Sequence, residues 1–161
     1  MLDRNVAPRI MTIEEFRKIK PGTKLDIVGS EFIIREIIKF RLDDGNFYFK
    51  LFLNDDYIIA DDEERGAFIF GKEIETPIDI PFPQKNIKFE NKNFKFIFET
   101  GAVAEEIWGE EIFKKGYSEQ FSDYEADDGS YLSLGYADDG SHRRLDLFGK
   151  VVRPDEVRIA A

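Results

Sequence analysis

Two stretches of the chain, Asn46–Leu53 and Phe94–Thr100, follow an alternating pattern. A period of two residues is typical of a β-strand, because successive side chains point to opposite faces. Tyr48, Lys50 and Phe52 share one face of the first stretch. The positions that we expect to face the core are Phe47, Phe49, Leu51 and Leu53 in the first stretch and Phe94, Phe96 and Phe98 in the second. The chain has 16 phenylalanines, which favour a sheet core over an exposed aromatic platform for a ligand.

Turn signals divide most of the remaining chain into short strands. Asp-Gly pairs at Asp44-Gly45, Asp128-Gly129 and Asp139-Gly140 are typical of hairpin turns. Gly71 indicates a bulge inside a strand, and the proline-rich segment Thr76–Gln84 predicts an extended connector. The other predicted strands are Lys24–Val28, Tyr57–Ala60, Ala67–Ile74, Asn86–Glu90, Phe121–Ala126, Tyr131–Ala137, Arg143–Val152 and Glu156–Ala160.

One helix is predicted near the N-terminus. Thr12 is a suitable N-cap, Glu15 completes a capping box, and Pro21-Gly22 ends the helix after about two turns. Two other segments fit more than one structure. Glu31–Leu42 also has helical spacing, but its β-branched residues favour a strand. Ala102–Lys115 fits either a helix or two strands that meet at Gly109.

An internal repeat shapes the predicted fold. Phe40–Phe47 matches Tyr124–Tyr131 without a gap, and Phe70–Ile74 matches Phe148–Val152 after a six-residue deletion. Chance similarity between two hairpins is the alternative, but the ordered second match favours a duplication of residues 22–76 and 101–161. We therefore predict a mainly β protein with about ten short antiparallel strands in two related halves. The halves form a sandwich or a barrel, with one short N-terminal helix, in a single compact domain spanning residues 1–161.

Composition excludes several classes of function. The 161 residues include no cysteine and one histidine, which excludes disulfides, a cysteine nucleophile and a histidine-rich metal site. The net charge of −10 argues against nucleic acid and anionic membranes as partners. No apolar run is long enough to span a membrane, and the N-terminus lacks the pattern of a secretory signal. We expect a cytoplasmic protein, without membrane insertion.

The candidate chemical motifs do not assemble into a catalytic, cofactor or metal site. The acidic run from Asp123 to Gly129 is out of frame for an EF-hand, and hairpin turns account for its acids better. His142 follows a turn and has no nucleophile elbow, and the adjacent Arg143 and Arg144 would point to opposite faces of a strand. No phosphate-binding glycine loop is present. Trp108 and Tyr117 could form an aromatic wall, although a lone tryptophan is more often part of a core.

Charge is concentrated in one part of the chain. The segment Glu99–Asp139 contains twelve acidic residues and only two basic ones, Lys114 and Lys115. Such a segment forms either a solvated face that aids solubility or a surface for a basic partner.

The C-terminal part resembles a known family. The run Tyr124–Leu134, the pair Gly149-Lys150 and the ending Pro154–Ile159 are similar to DUF4178, a bacterial β-rich domain of unknown function. The resemblance covers roughly the last 60 residues. It implies a β-rich fold and a place beside phage-shock-type membrane-stress proteins, and it implies no catalytic residues.

Two functions follow as hypotheses. The first is a non-catalytic interaction or accessory module whose acidic 99–139 region binds a protein partner. The second is a small-ligand-binding β protein, or an enzyme without a recognisable motif, with a pocket between the two halves. A deep pocket with convergent polar groups would favour the second hypothesis, and a flat surface patch would favour the first.

Overall fold

The fold is described by a computed structural model that covers residues 10–74, 85–110, 112–137 and 146–160. About 65% of the structure is strand and 8% is helix. The helix is α1 (Ile13–Phe16), and short 3₁₀ turns occur at Asn54–Asp56 and Pro154–Glu156. The strands are β1 (Lys24–Ile27), β2 (Ser30–Leu42), β3 (Phe47–Leu53), β4 (Tyr57–Asp62), β5 (Ala67–Ile74), β6 (Asn86–Phe89), β7 (Lys92–Gly109), β8 (Ser118–Glu125), β9 (Ser130–Ala137), β10 (Asp146–Val152) and β11 (Val157–Ile159).

Eight of these strands close into an antiparallel barrel. Their order around the barrel is β2-β3-β4-β5-β10-β9-β8-β7, and β7 pairs with β2 to complete the circle. Strands β1 and β11 extend the sheet beside the start of β2, and β6 pairs with the start of β7. This architecture confirms the predicted mainly β fold, and of the two predicted forms, sandwich and barrel, it is the barrel.

The two Asp-Asp-Gly hairpins have the same local geometry. Gly45 and Gly129 adopt left-handed φ angles of 89° and 87°. In each turn, the carbonyl three residues before the glycine accepts the glycine N–H, at 3.0 and 3.1 Å. The carboxylates of Asp44 and Asp128 each accept the N–H two residues later, both at 2.9 Å. These are three-residue hairpin loops in which only glycine takes the left-handed position without strain.

The segments that follow the two hairpins are connected differently. Strand β5 is separated from β3 by β4, whereas β10 pairs directly with β9. A duplication predicts that Phe40–Ile74 superposes strand for strand on Tyr124–Val152. This prediction is wrong, because β9 pairs directly with β10 and no counterpart of β4 lies between them in the sheet. The duplication itself stays a prediction, supported by the equivalent hairpins.

Hydrophobic side chains pack both inside and outside the barrel. The interior cluster takes residues from all eight barrel strands, among them Phe40, Phe52, Ile69 and Phe121. One outer cluster lies between β2–β5 and α1, where Phe16 is buried. A second outer cluster covers β8 and β9 and includes Ile87 of β6. Because both faces of several strands are buried, strand periodicity alone does not identify the face that points into the barrel.

The predicted core faces of two strands are confirmed only in part. In β3, Phe49, Leu51 and Leu53 are buried as predicted, but in the outer cluster, and Phe52 of the opposite face points into the barrel. In β7, Phe94 is buried, but Phe96 and Phe98 are 37% and 39% exposed. The pairing with β8 shifts register between Phe96 and Phe98, which interrupts the alternation there.

Several segment predictions can be compared directly. Thr12 Oγ1 accepts the Glu15 N–H at 3.0 Å as expected, but the helix ends at Phe16, well before Pro21. The strand interpretation of Glu31–Leu42 is confirmed. In Ala102–Lys115 the residues up to Gly109 continue β7, so this segment is not a helix. The predicted connector Thr76–Gln84, the turn Asp139-Gly140 and the residues His142, Arg143 and Arg144 lie outside the described residues.

Gly71 marks a close approach of two strands, so its assignment to a bulge is wrong. It pairs with Gly149 across β5 and β10 without a register shift. A Cβ atom at Gly71 would lie 2.5 Å from the carbonyl oxygen of Phe148, and one at Gly149 would lie 2.1 Å from that of Phe70. The repeated Phe-Gly-Lys motif therefore places two glycines opposite each other where the backbones leave no room for a side chain.

Candidate functional site

One mouth of the barrel opens into a cavity of about 620 Å³. Strands from both halves of the chain form its wall, namely β2, β3, β4 and β5 on one side and β7, β8, β9 and β10 on the other. The lining residues are Leu42, Asp44, Asn46, Phe47, Tyr48, Lys50, Ile58, Ala60, Asp61, Asp62, Glu63, Glu64, Ile69, Phe98, Phe121, Asp123, Tyr131, Ser133 and Leu147. We call this space the mouth cavity.

Aromatic rings form one continuous part of the wall. Phe121 of β8 contacts Tyr48 and Phe98 edge-on, with ring centroids 6.2 and 6.1 Å apart. Phe98 is 39% exposed, so the wall reaches from the interior to solvent. Edge-to-face packing of this kind fixes the rings and leaves an apolar surface for a ligand.

A buried carboxylate lies beside this wall. Asp123 of β8 is 7% exposed and faces β9, where its register partner is Ser133. The Ser133 hydroxyl donates to Asp123 Oδ1 at 2.6 Å, and the Tyr131 hydroxyl donates to Oδ2. Burial and the neighbouring Asp123 raise the pKa of Tyr131, so the phenol keeps its proton and acts as the donor. The expectation that Asp123 is a solvated turn acid is wrong.

The rim carries further acids from β4 and the turn that follows it. The Asp61 side chain is fully buried and forms an ion pair with Arg17, which also pairs with Glu63 at 3.2 Å. Asp61 also accepts the Phe49 N–H at 2.6 Å. Burial raises the pKa of Asp61, and the hydrogen bond from Phe49 and the charge of Arg17 oppose that rise. The rim is thus fixed to helix α1 through Arg17.

A second ion pair connects the rim to the opposite side of the barrel. Arg65, in the turn after β4, donates to Glu125 of β8 at 2.7 Å. Arg65 also lies 3.3 Å from Asp62. Since β4 and β8 are four strands apart in either direction, this contact bridges part of the mouth.

Lys50 is the basic residue among the described lining residues. It is 4% exposed, and its ammonium group lies 5.5 Å from the ring centre of Phe52 and 5.9 Å from that of Phe40. The alternation of β3 places Lys50 on the face opposite Phe49, as predicted, but this is the face that points into the barrel. A buried lysine among aromatic rings stabilises its charge in part by cation–π attraction.

The acidic segment Glu99–Asp139 does not form an open acidic face in the described part of the chain. Glu119 and Asp123 are buried, and Glu99, Glu106 and Asp127 are the exposed acids without an ion pair there. Hydrogen bonds from Arg41 lower the pKa of Glu105 to about 2. The segment's ion pairs include Glu105 with Arg41 and Lys39, Glu110 with Arg35, Glu125 with Arg65, and Asp128 with Lys92.

Trp108 and Tyr117 do not form a common ligand wall. Trp108 is 41% exposed and stacks on Phe49 outside the barrel, with ring centroids 6.1 Å apart. Tyr117 packs against the interior cluster. The expectation that Trp108 belongs to the core is therefore also wrong.

The far end of the barrel is closed by the loop after β7. Phe113 inserts into the interior cluster, with its ring centre 5.6 Å from that of Phe52. The fully buried Glu36 carboxylate holds this loop by accepting the N–H groups of Ile112 at 2.7 Å and Phe113 at 3.2 Å. Burial raises the pKa of Glu36 to about 6, although these two hydrogen bonds act in the opposite direction.

This raised pKa predicts a pH-dependent contribution to stability. The ordinary pKa of a glutamate is 4.5, so the folded protein binds the proton of Glu36 more tightly than the unfolded chain. The contribution is fully present below pH 4.5 and is lost as pH rises through about 6. Between pH 4.5 and pH 7, the free energy of unfolding of the wild type should fall by about 1–2 kcal/mol more than that of Glu36→Gln, as measured by urea unfolding. Glu31→Gln, an exposed change on the same strand, should show the same pH dependence as the wild type. Equal pH profiles for Glu36→Gln and the wild type would contradict the prediction.

Comparison with protein-family models, curated proteins and solved structures finds no match to this chain. Within residues 10–74, 85–110, 112–137 and 146–160, no helix has the length and apolar character needed to cross a bilayer. The geometry of the mouth cavity is therefore the basis on which a function can be inferred.

Proposed function

We propose that this protein binds a small organic molecule in the mouth cavity. The observation that carries the proposal is the cavity itself, whose volume of about 620 Å³ falls within the range of small-molecule sites. Eight-stranded barrels are wide enough to hold one small ligand. The cavity combines an aromatic wall with a few convergent polar groups, the usual composition of a ligand site.

The polar network at the cavity wall supports a role in ligand binding and not only in packing of the barrel. Asp123, Tyr131 and Ser133 orient one another at the cavity wall, so a ligand would meet polar groups with fixed positions. Fixed groups lose little conformational freedom when a ligand binds.

A protein partner bound through the acidic 99–139 region has less support. Most of the described acids in that region are buried or already paired with Lys or Arg. A basic partner would have to displace those pairs. The DUF4178 resemblance and a cytoplasmic location stay predictions, and the ligand proposal depends on neither.

Filling the cavity tests the proposal. Ala60 lines the cavity, and Ala60→Trp should place an indole in the space that a ligand would use. We expect the wild type to bind the neutral fluorescent probe N-phenyl-1-naphthylamine, with increased emission, and Ala60→Trp to bind it at least about tenfold more weakly.

Ala160→Trp is the matched control, because Ala160 lies after β11 and does not line the cavity. It should bind the probe as the wild type does. Thermal unfolding of both variants checks that each is folded. Absence of probe binding in the wild type, or equal binding by folded Ala60→Trp, would refute the proposal.

A further inference from the structure

We infer that the ligand of the mouth cavity is an amphipathic cation: an amine with an aromatic or aliphatic body. This inference rests on the proposed function and adds the chemical class of the ligand. Three features support it. They are the negative charge of the lining, the position of the aromatic wall across the mouth from part of that charge, and the attraction of aromatic rings for cations.

The described lining is strongly acidic. The lining residues include six acids, Asp44, Asp61, Asp62, Glu63, Glu64 and Asp123, and one lysine, Lys50. Arg17 and Arg65 lie at the rim and pair with three of these acids. Even when both arginines are counted with Lys50, the described groups leave three negative charges around the cavity. A concave site with one sign of charge concentrates ligands of the opposite sign.

Three of the lining acids lie across the mouth from part of the aromatic wall. Asp62, Glu63 and Glu64 lie at the end of β4 and in the turn after it, and Phe121 lies on β8. These strands are diametrically opposite in the eight-stranded barrel. A molecule that enters the mouth would therefore meet Phe121 and its neighbouring rings on one side and the carboxylates of Asp62, Glu63 and Glu64 on the other. This is the complement of a molecule with an apolar body and a cationic head.

Aromatic rings also favour a cation over a neutral polar head. Five aromatic residues line the cavity within the described chain: Phe47, Tyr48, Phe98, Phe121 and Tyr131. Ring faces attract ammonium groups, and the attraction is larger where water is excluded. Phe47, whose ring packs against the outer cluster, shows this attraction within the protein, since the Arg17 guanidinium lies 4.6 Å and the Lys39 ammonium 4.5 Å from its ring centre.

The experiment compares three compounds that share one apolar body. They are 4-phenylbutylamine, 4-phenylbutan-1-ol and 4-phenylbutanoate, each used to displace N-phenyl-1-naphthylamine from the wild-type protein at pH 7 and low salt. We expect the amine to bind roughly tenfold more tightly than the alcohol, and the carboxylate to bind most weakly. The preference should decrease as salt is added, because the rim is exposed to solvent.

Two double variants test whether the lining acids cause the preference. Glu63→Gln with Glu64→Gln removes two rim charges, and Glu31→Gln with Glu106→Gln removes two exposed charges that do not line the cavity. Both change the net charge equally. We expect the rim variant to lower the preference for amine over alcohol about threefold or more, and the control to leave it unchanged.

The outcomes separate this inference from the proposed function. Probe displacement by all three compounds with equal affinity, or best by the carboxylate, would refute the cationic ligand and leave a binding cavity. An equal effect of the two double variants would also refute it, since the preference would then reflect net charge alone. Failure of the probe and of every compound to bind would refute the proposed function, and the inference with it.

Discussion

Gly149→Ala should unfold at much lower denaturant concentration than the wild type, with a loss of about 3 kcal/mol or more in the free energy of unfolding. A Cβ atom there would lie 2.1 Å from the carbonyl oxygen of Phe70 and 2.5 Å from the Cα of Gly71, so no side-chain rotation relieves the clash. Strands β5 and β10 would have to separate, and the closed barrel resists this because each is also paired on its other edge. Gly71→Ala should behave similarly, since its Cβ would meet Phe148 O at 2.5 Å.

Gly45→Ala is the control for conformational strain without a clash. Gly45 has a φ of 89° and no atom within 4 Å of an added Cβ, so alanine there should cost only about 1 kcal/mol. The double variant Gly71→Ala with Gly149→Ala should cost less than the sum of the single changes, because one strand separation relieves both clashes. Urea titrations of the wild type and the four variants provide the measurement. A loss for Gly149→Ala no larger than that for Gly45→Ala would show that the strands do not approach so closely.

Arg17→Met should cost about 3 kcal/mol at pH 8, because it leaves the Asp61 carboxylate buried without its cation. The Asp61 side chain is fully buried, and Arg17 Nε donates to it at 2.7 Å. Methionine keeps much of the apolar contact that the arginine stem makes. Arg153→Met removes an arginine that is 71% exposed and pairs only at the surface, so it should cost less than about 1 kcal/mol.

The pH dependence identifies the cause of this loss. Without Arg17, the pKa of Asp61 should rise further above its ordinary value, because burial is no longer opposed by a nearby positive charge. The carboxyl group then takes a proton on folding, so the cost of Arg17→Met should fall as pH is lowered from 8 to 5. Adding Asp61→Asn to Arg17→Met should restore part of the stability at pH 8. A cost that is independent of pH and additive with Asp61→Asn would indicate lost packing and not an unpaired charge.

Local signals in the sequence predicted much of the fold. The hairpins at Gly45 and Gly129 follow from turn chemistry within five residues, and the strand at Ala67–Ile74 begins and ends where the pattern places it. The helix N-cap at Thr12 was equally local. The helix end was not predicted correctly, since α1 stops at Phe16, well before Pro21.

Features that depend on pairing between distant strands could not be predicted. The repeated Phe-Gly-Lys motif is visible in the sequence, but the need for glycine arises only when Gly71 lies opposite Gly149. Likewise, Asp123 resembles a turn acid until the β8–β9 register places it beside Ser133. The available signal was its spacing two residues after Phe121, which puts both on the lumen face of β8. The sequence pattern alone does not say which face of a strand is the lumen.

The circular order of the strands also bears on how the chain reaches this fold. The pairing between β2 and β7 joins residues as far apart in sequence as Glu36 and Gly109, and the pairing between β5 and β10 joins Phe68 to Val152. The first four barrel strands are linked by local hairpins, so they can associate early. Both outer edges of that sheet then stay unpaired until β7 and β10 have been synthesised. Contacts of such long range slow folding, and unpaired edges expose an intermediate to aggregation. The nascent chain is thus most vulnerable after β5 has emerged and before β10 has.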